Sequence, residues 1–247
     1  MISVCIATFN GEKFLKQQVE SILPQLGAND EVIISDDSST DSTVRILKNF
    51  NDRRLCIFEG QNFRSPIFNF EFAIKKAKGD FVFLSDQDDI WHSDKVERMV
   101  AALKNHSMVV SDCKVIGDDN KIIFKSFYAS RKSGKGLLKN LYKNTYLGCC
   151  MAFRREILIM ALPFPKYIPM HDMWLGFVCE LFYSSVFIKD RLTYYRKHND
   201  NNTSSSLNVR NKKLSAKLLF RINLVRYLPN LLFRGFRVML QLKFFNT

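Results

Sequence analysis

Three carboxylates fall within four residues, at Asp86, Asp88 and Asp89, and close the segment Gly79-Asp80-Phe81-Val82-Phe83-Leu84-Ser85-Asp86-Gln87-Asp88-Asp89. Residues 81–85 are apolar enough for a buried strand, so the acidic groups stand at its end. Like charges this close repel, and a fold tolerates them best around a cation. Mg²⁺ typically takes one or two carboxylates and completes its shell with phosphate oxygens and water. The pattern therefore points to metal-assisted chemistry on a phosphorylated substrate. Asp88 is the expected direct ligand, with Asp86 supporting it through water or the substrate. The competing reading is a solvated turn that caps the next helix. Against it, the nearest cap for that helix is Ser93, several residues on.

Two further constellations could serve the same site. Asp36-Asp37-Ser38-Ser39-Thr40-Asp41 is rich in turn formers and reads equally well as a strand-to-helix turn. A carboxylate there could also accept the imide N–H of a uracil or thymine ring. His171-Asp172 precedes an apolar helix, so Asp172 is either its N-cap or a general base that takes a proton from an attacking hydroxyl. Trp174 is a stacking platform for a sugar face or a core residue. His198 follows a strand in a polar loop and is a possible third metal ligand.

The elements that must position these groups alternate. Strands are expected at 2–8, 31–35, 55–58 and 81–85, and helices at 12–23, 43–50, 67–77 and 93–104. Thr40 or Asp41 is the expected cap of the second helix, and Ser93 that of the fourth. Alternation of this kind predicts a mostly parallel α/β sheet flanked by helices, with ligands bound beyond the strands' carboxyl ends. The second half is less regular. Strands are expected at 108–113, 122–127, 149–153, 185–189 and 192–196. Residues 132–143 read as a basic loop and helix, 173–181 as a helix and 198–206 as a loop.

Composition narrows the class. A chain of 247 residues with 47% hydrophobic and 25% charged residues is long enough for one large α/β core. Its net charge of +13 favours anionic partners. The charge is uneven: residues 207–247 hold nine Lys or Arg and no Asp or Glu. Apolar and basic positions there alternate as in two amphipathic helices, either lying on an anionic membrane surface or packed on the body. A nucleic-acid partner is not expected, since the tail is too apolar and carries no recognised binding motif. Cysteines at 5, 56, 113, 149, 150 and 179 form no CxxC pair and read as reduced. No signal peptide or membrane span is expected. The absence of GxGxxG and GxxxxGK[ST] disfavours dinucleotide oxidoreductases and P-loop enzymes.

Taken together, these residues resemble glycosyltransferase family 2, inverting enzymes of the GT-A fold. Ser3-Val4-Cys5-Ile6-Ala7-Thr8-Phe9-Asn10-Gly11 is similar to that family's first strand and loop, residues 31–41 to its base-binding turn and residues 79–89 to its DxD strand. The string Ser85-Asp86-Gln87-Asp88-Asp89-Ile90-Trp91, with His171-Asp172-Met173-Trp174 and Tyr195-Arg196-Lys197-His198, is similar to bacterial rhamnosyltransferase-like members.

The resemblance implies a catalytic domain over 1–206, with a nucleotide-sugar half at 1–105, an acceptor half at 106–206 and a basic helical tail at 207–247. It implies nucleotide-sugar contacts from Ala7, Thr8, Asn10, Asp36, Asp37, Asp86 and Gln87. Mg²⁺ or Mn²⁺ would sit on Asp88, Asp86 and His198. Asp172 would be the base, with His171 and Trp174 toward the acceptor. The implied reaction moves a sugar from dTDP-rhamnose or a UDP-hexose to a lipid-linked saccharide, in surface polysaccharide assembly at the inner face of the plasma membrane. One departure stands out: much of the family carries Glu before the catalytic Asp, where this chain has His171. A non-catalytic nucleotide-sugar-binding protein and a metal-dependent phosphohydrolase are the alternatives.

Overall fold

The computed structural model describes residues 1–198 and 214–245. Along the first half run β1 (Ile2–Thr8), α1 (Leu15–Ile22), β2 (Glu31–Asp36), α2 (Thr43–Asn49), β3 (Leu55–Phe58), α3 (Pro66–Lys76) and β4 (Phe81–Ser85). Then come β5 (Ile90–Trp91), α4 (Lys95–Leu103), β6 (Met108–Ile116), β7 (Ile122–Phe124), α5 (Phe127–Arg131) and α6 (Leu137–Tyr142). The second half closes with β8 (Met151–Arg154), α7 (Ile157–Ala161), α8 (His171–Phe182), β9 (Ser185–Arg196), α9 (Leu214–Val225) and α10 (Leu228–Phe245).

All nine strands among the described residues form one sheet, in the order β3-β2-β1-β4-β8-β6-β9-β5 with β7 on β6. The first four strands are parallel. β8 runs antiparallel to both β4 and β6, so the sheet is mixed beyond β4. Every residue of β2 is buried, as expected of a strand covered on both faces. Strand alternation sends Val4, Ile6, Val32 and Ile34 to one core layer and Cys5, Ile33, Val82 and Leu84 to the other. Helix α1 closes the first layer with Leu15, Gln18, Val19 and Ile22, the i, i+3, i+4, i+7 face of a helix.

Several expectations need correction. The strands expected at 185–189 and 192–196 are one strand, β9, whose pairing with β6 slips near Asp112. The strand expected at 149–153 starts later, because Gly148–Cys150 is a 3-10 turn. Residues 122–127 give only β7; Ser126 then accepts a hydrogen bond from the Ala129 N–H and starts α5. The cap of α4 is Asp94, while the Ser93 hydroxyl donates to Asp94 Oδ1 at 2.9 Å. The cap of α2 is Ser42, although Asp41 Oδ1 does accept from the Thr43 N–H at 2.9 Å. Short β5 pairs with β9 at a distance in sequence that periodicity cannot see. Residues 199–206 of the expected loop lie outside the described residues.

Gly79 marks a close approach before β4. A Cβ there would lie 2.6 Å from the Ser3 backbone nitrogen and 2.8 Å from the Ile2 carbonyl carbon. The strand edge cannot retreat without breaking its ladder. Gly79→Ala is therefore expected to cost about 2 kcal/mol of stability, seen as a lower urea midpoint at unchanged slope.

Candidate active site

The parallel register aligns Thr8 with Asp36 and Ile6 with Ser85, so the loops after β1, β2 and β4 emerge side by side at one edge of the sheet. Above that edge lies a cavity of about 700 Å³, of small-molecule size. Ala7, Thr8, Asn10, Asp37, Asp86, Gln87, Asp88, His171, Asp172 and His198 all line it. The sequence-predicted groups thus converge, with two exceptions.

The first exception is Asp36. It is 1% exposed and does not line the cavity. Its Oδ1 accepts from Thr8 Oγ1 at 2.9 Å and from Ser39 Oγ at 2.5 Å, and its Oδ2 accepts from the Ser39 N–H at 2.9 Å. Asp36 braces the turn, and neighbouring Asp37 faces the cavity, where its Oδ1 accepts from the Phe63 N–H at 2.6 Å.

The second exception is Trp174. It is 1% exposed, donates Nε1–H to the Ala161 carbonyl at 2.8 Å and packs on Phe177. Two residues along a helix turn a side chain about 200° away, so Asp172 faces the cavity and Trp174 the core.

Two other cavity residues brace loops. Asn10 sits at φ 48° and accepts from the Thr40 N–H at 2.8 Å. Gln87 accepts from the Phe9 N–H at 2.8 Å and donates to the Phe9 carbonyl at 3.0 Å. That strut ties the loop after β1 to the loop after β4.

The acidic loop separates its three carboxylates by role. Asp88 Oδ2 lies 2.7 Å from His198 Nε2. Asp86 is half-buried on the cavity wall, and burial, then Asp88 and Asp172, push its carboxyl up to about 8. Asp89 is fully buried and accepts from the Arg196 N–H at 2.8 Å. A metal fits the chemistry of these donors, because carboxylates crowded onto one wall repel each other and a cation would relieve them. Ligand atoms of Asp86, Asp89 and Cys149 lie within 4.8 Å of one another. Asp88 and His198 are not part of that group, their ligand atoms facing each other at 2.7 Å, but with Asp86 they are the donor types that suit a hard ion. Cys149 is a buried thiol, and one Asp89 oxygen is already engaged.

Arg196 is a functional residue that the sequence did not single out. At 1% exposure, its Nε donates to the Asp88 carbonyl at 2.8 Å, and its guanidinium reaches Asn120 Oδ1 at 2.7 Å and Gln17 Oε1 at 3.0 Å. It clamps the acidic loop to the end of β9 and so sets where His198 stands. Its signal was present in the Tyr195-Arg196-Lys197-His198 string. Lys13, Arg64 and Asn69 also line the cavity. The Oδ1 of Asn69 has no partner, although the residue is 3% exposed. Scattered single residues of this kind carry no pattern in sequence.

Opposite the acidic loop, α8 begins with His171 and Asp172, each 5% exposed. The Met173 N–H donates to Asp172 Oδ1 at 2.6 Å. Burial nonetheless pushes Asp172 up to about 7. Burial lowers His171 to about 3, so its ring is neutral. Neither ring nitrogen of His171 has a partner, and the ring stacks on Phe70 at 4.1 Å. Gly148 makes room for it, since a Cβ there would come within 2.9 Å of Nε2.

Comparisons with known proteins give the family and the fold. The profile of Glycosyl transferase family 2 matches residues 3–160. The chain is 28% identical over 177 residues to the Escherichia coli UDP-Glc:alpha-D-GlcNAc-diphosphoundecaprenol beta-1,3-glucosyltransferase WfgD, covering 71% of this chain and 68% of that protein. It is 27% identical over 235 residues to the dTDP-rhamnosyl transferase RfbG of Shigella flexneri, covering 84% of this chain and 76% of that protein. Among solved structures, S. aureus TarS 1-349 in complex with UDP-GlcNAc superposes with a TM-score of 0.65 at 21% identity. The match covers 80% of this chain and 58% of that one. The mannosyltransferase PcManGT from Pyrobaculum calidifontis, in complex with GDP-Man and Mn2+, superposes at 0.62 with 19% identity, over 81% of this chain and 58% of that one. The fold is GT-A, and the chain spans somewhat over half the length of these solved neighbours.

Proposed function

The chain belongs to glycosyltransferase family 2, and from that premise we propose that it is an inverting, metal-dependent transferase for surface polysaccharide assembly. Its donor is a UDP-hexose or dTDP-rhamnose, and its acceptor a lipid-linked saccharide presented at the inner face of the plasma membrane. The observation that carries this reading is the convergence of Asp172 with Asp86, Asp88 and His198 on one cavity. Asp172 and His198 lie beyond the residues that the family profile matches, so their roles rest on that geometry.

Thr8 and Asp37 face the nucleotide base, and Arg64 places positive charge at the cavity where a diphosphate enters, while Lys13 is paired with Asp118. Asp86, Asp88 and His198 would hold a divalent ion, which when bound would supply charge offsetting that of the departing nucleoside diphosphate. Asp172 takes the proton from the acceptor hydroxyl as it attacks the anomeric carbon, and direct displacement inverts that centre. His171 offers a neutral ring nitrogen to a sugar hydroxyl, and its burial keeps it from competing for that proton. The names of the relatives support both donor classes, with a UDP-glucose and a dTDP-rhamnosyl enzyme at similar identity.

A thermal-shift screen tests the reading. One of UDP-glucose, UDP-GlcNAc or dTDP-rhamnose is expected to raise the Tm with Mn²⁺ and to lose that effect with EDTA. Release of sugar phosphate from the donor without an acceptor would point to a phosphohydrolase instead.

A further inference from the structure

We propose that the outward faces of α9, α10 and α6 form one surface that docks on an anionic lipid bilayer. Its value for capturing an acceptor rests on the transfer reaction proposed above; the surface itself stands on separate observations.

The two C-terminal helices are fixed to the body on their inner side. Leu224 and Leu231 are 2% and 3% exposed in the core. Arg221 Nε donates to the Leu141 carbonyl of α6 at 2.6 Å, and Arg234 donates to the Met160 carbonyl of α7 at 2.9 Å. Packing on the body, one of the two arrangements expected of the tail, is thus realised for this inner face.

A helix packed this way ordinarily turns a polar side to water. Here the outer side is apolar as well. Leu219, Ile222, Leu232, Phe233 and Phe236 are each more than half exposed. On α6, the helix that Arg221 of α9 ties down, Leu138 is 81% and Tyr142 79% exposed. Large exposed apolar patches mark interaction surfaces.

Charge selects the occupant. Exposed Arg226, Arg237, Lys139 and Lys143 are interleaved with the apolar side chains, and no Asp or Glu occurs from residue 207 onward. A second copy of the chain would set these cations against each other. An anionic bilayer neutralises them while taking up the Leu and Phe side chains, as amphipathic interfacial helices do. The placement also suits the site. Helix α8 begins with Asp172 at the cavity, and its Met173 and Phe177 line a cleft shared with α6 and Leu224.

Flotation of the full chain with vesicles tests this. Binding to vesicles of phosphatidylglycerol and phosphatidylcholine is expected, weakening at high salt, with little binding to phosphatidylcholine alone. The triple variant Leu232→Ser, Phe233→Ser, Phe236→Ser is expected to lose about tenfold or more in partitioning, as is the charge reversal of Lys139, Lys143, Arg226 and Arg237 to Glu. Far-UV circular dichroism and the nucleotide–Mn²⁺ thermal shift of both variants should match the parent, which separates loss of docking from loss of fold. Parent protein that ignores anionic vesicles, or variants that float like the parent, would overturn the proposal. So would a concentration-dependent dimer that the apolar triple variant abolishes. Loss of the nucleotide–Mn²⁺ shift in the parent would instead count against the proposed reaction and leave the vesicle result readable.

Discussion

Asp172→Asn is expected to lower kcat by about 10³-fold, since a positioned general base typically contributes 10²–10⁴. The substitution keeps the shape and the hydrogen bond from the Met173 N–H, but the amide cannot accept the hydroxyl proton. Donor affinity with Mn²⁺ should stay within about twofold, because Asp172 serves the acceptor side and removes uniform binding from neither substrate. The pH profile carries the same signature. Burial holds the Asp172 carboxyl up to about 7, so the competent, deprotonated form is depleted below that pH and grows toward it. With Mn²⁺ saturating at every pH, the logarithm of kcat/KM should rise with unit slope up to about pH 7 and then level off. Transfer rates and donor titrations on the purified variant check both statements. Full activity in Asp172→Asn would remove it from the role of base.

The second large effect is expected at the acidic loop. Asp88→Ala removes the carboxylate that stands 2.7 Å from His198, and transfer should fall by about 10³-fold or more, reflecting the several kcal/mol that a bound ion lends to a developing diphosphate. Here donor binding also weakens, which separates this variant from Asp172→Asn. The metal response should depend on pH. Asp86 is raised to about 8 by burial and by Asp88 and Asp172, so protons compete with a cation for the loop. The Tm gained on adding Mn²⁺ should therefore grow as pH rises from about 5.5 to 8, and EDTA should abolish it. In Asp88→Ala the gain should be small at every pH. A full Mn²⁺ response in that variant would exclude Asp88 as a ligand.

Much of the site could be read from the residues in order. Asp37, Asp86, Asp88 and Thr8 follow strands whose apolar runs are plain, and parallel strands bring their carboxyl ends to one edge. Asp172 and His198 were legible as chemistry but not as neighbours of the acidic loop. Strand β9 reaches the cavity through long-range pairings, parallel to β6 and antiparallel to β5, and helix α8 through the chain that leads into β9; no local period encodes either. Asp36 and Asp37 look alike in sequence; strand alternation and the Ser39 turn lock one away from the cavity and turn the other toward it. Trp174 carries the right chemistry for stacking on a sugar, yet the helical repeat turns it to the core. Arg196 was passed over because a buried guanidinium has no pattern until its partners, Gln17 on α1 and the loops at Asp88 and Asn120, are assembled.

The parallel α/β half, the acidic pairs at its strand ends and the basic, acid-free tail are legible in the order of residues, because each depends on residue type and short-range period. Only the tertiary structure decided which carboxylates share a cavity, which aromatic is core and which side of the tail faces outward. Those outcomes depend on long-range register and on the direction a side chain takes from its own backbone, and neither is written in any local window of residues.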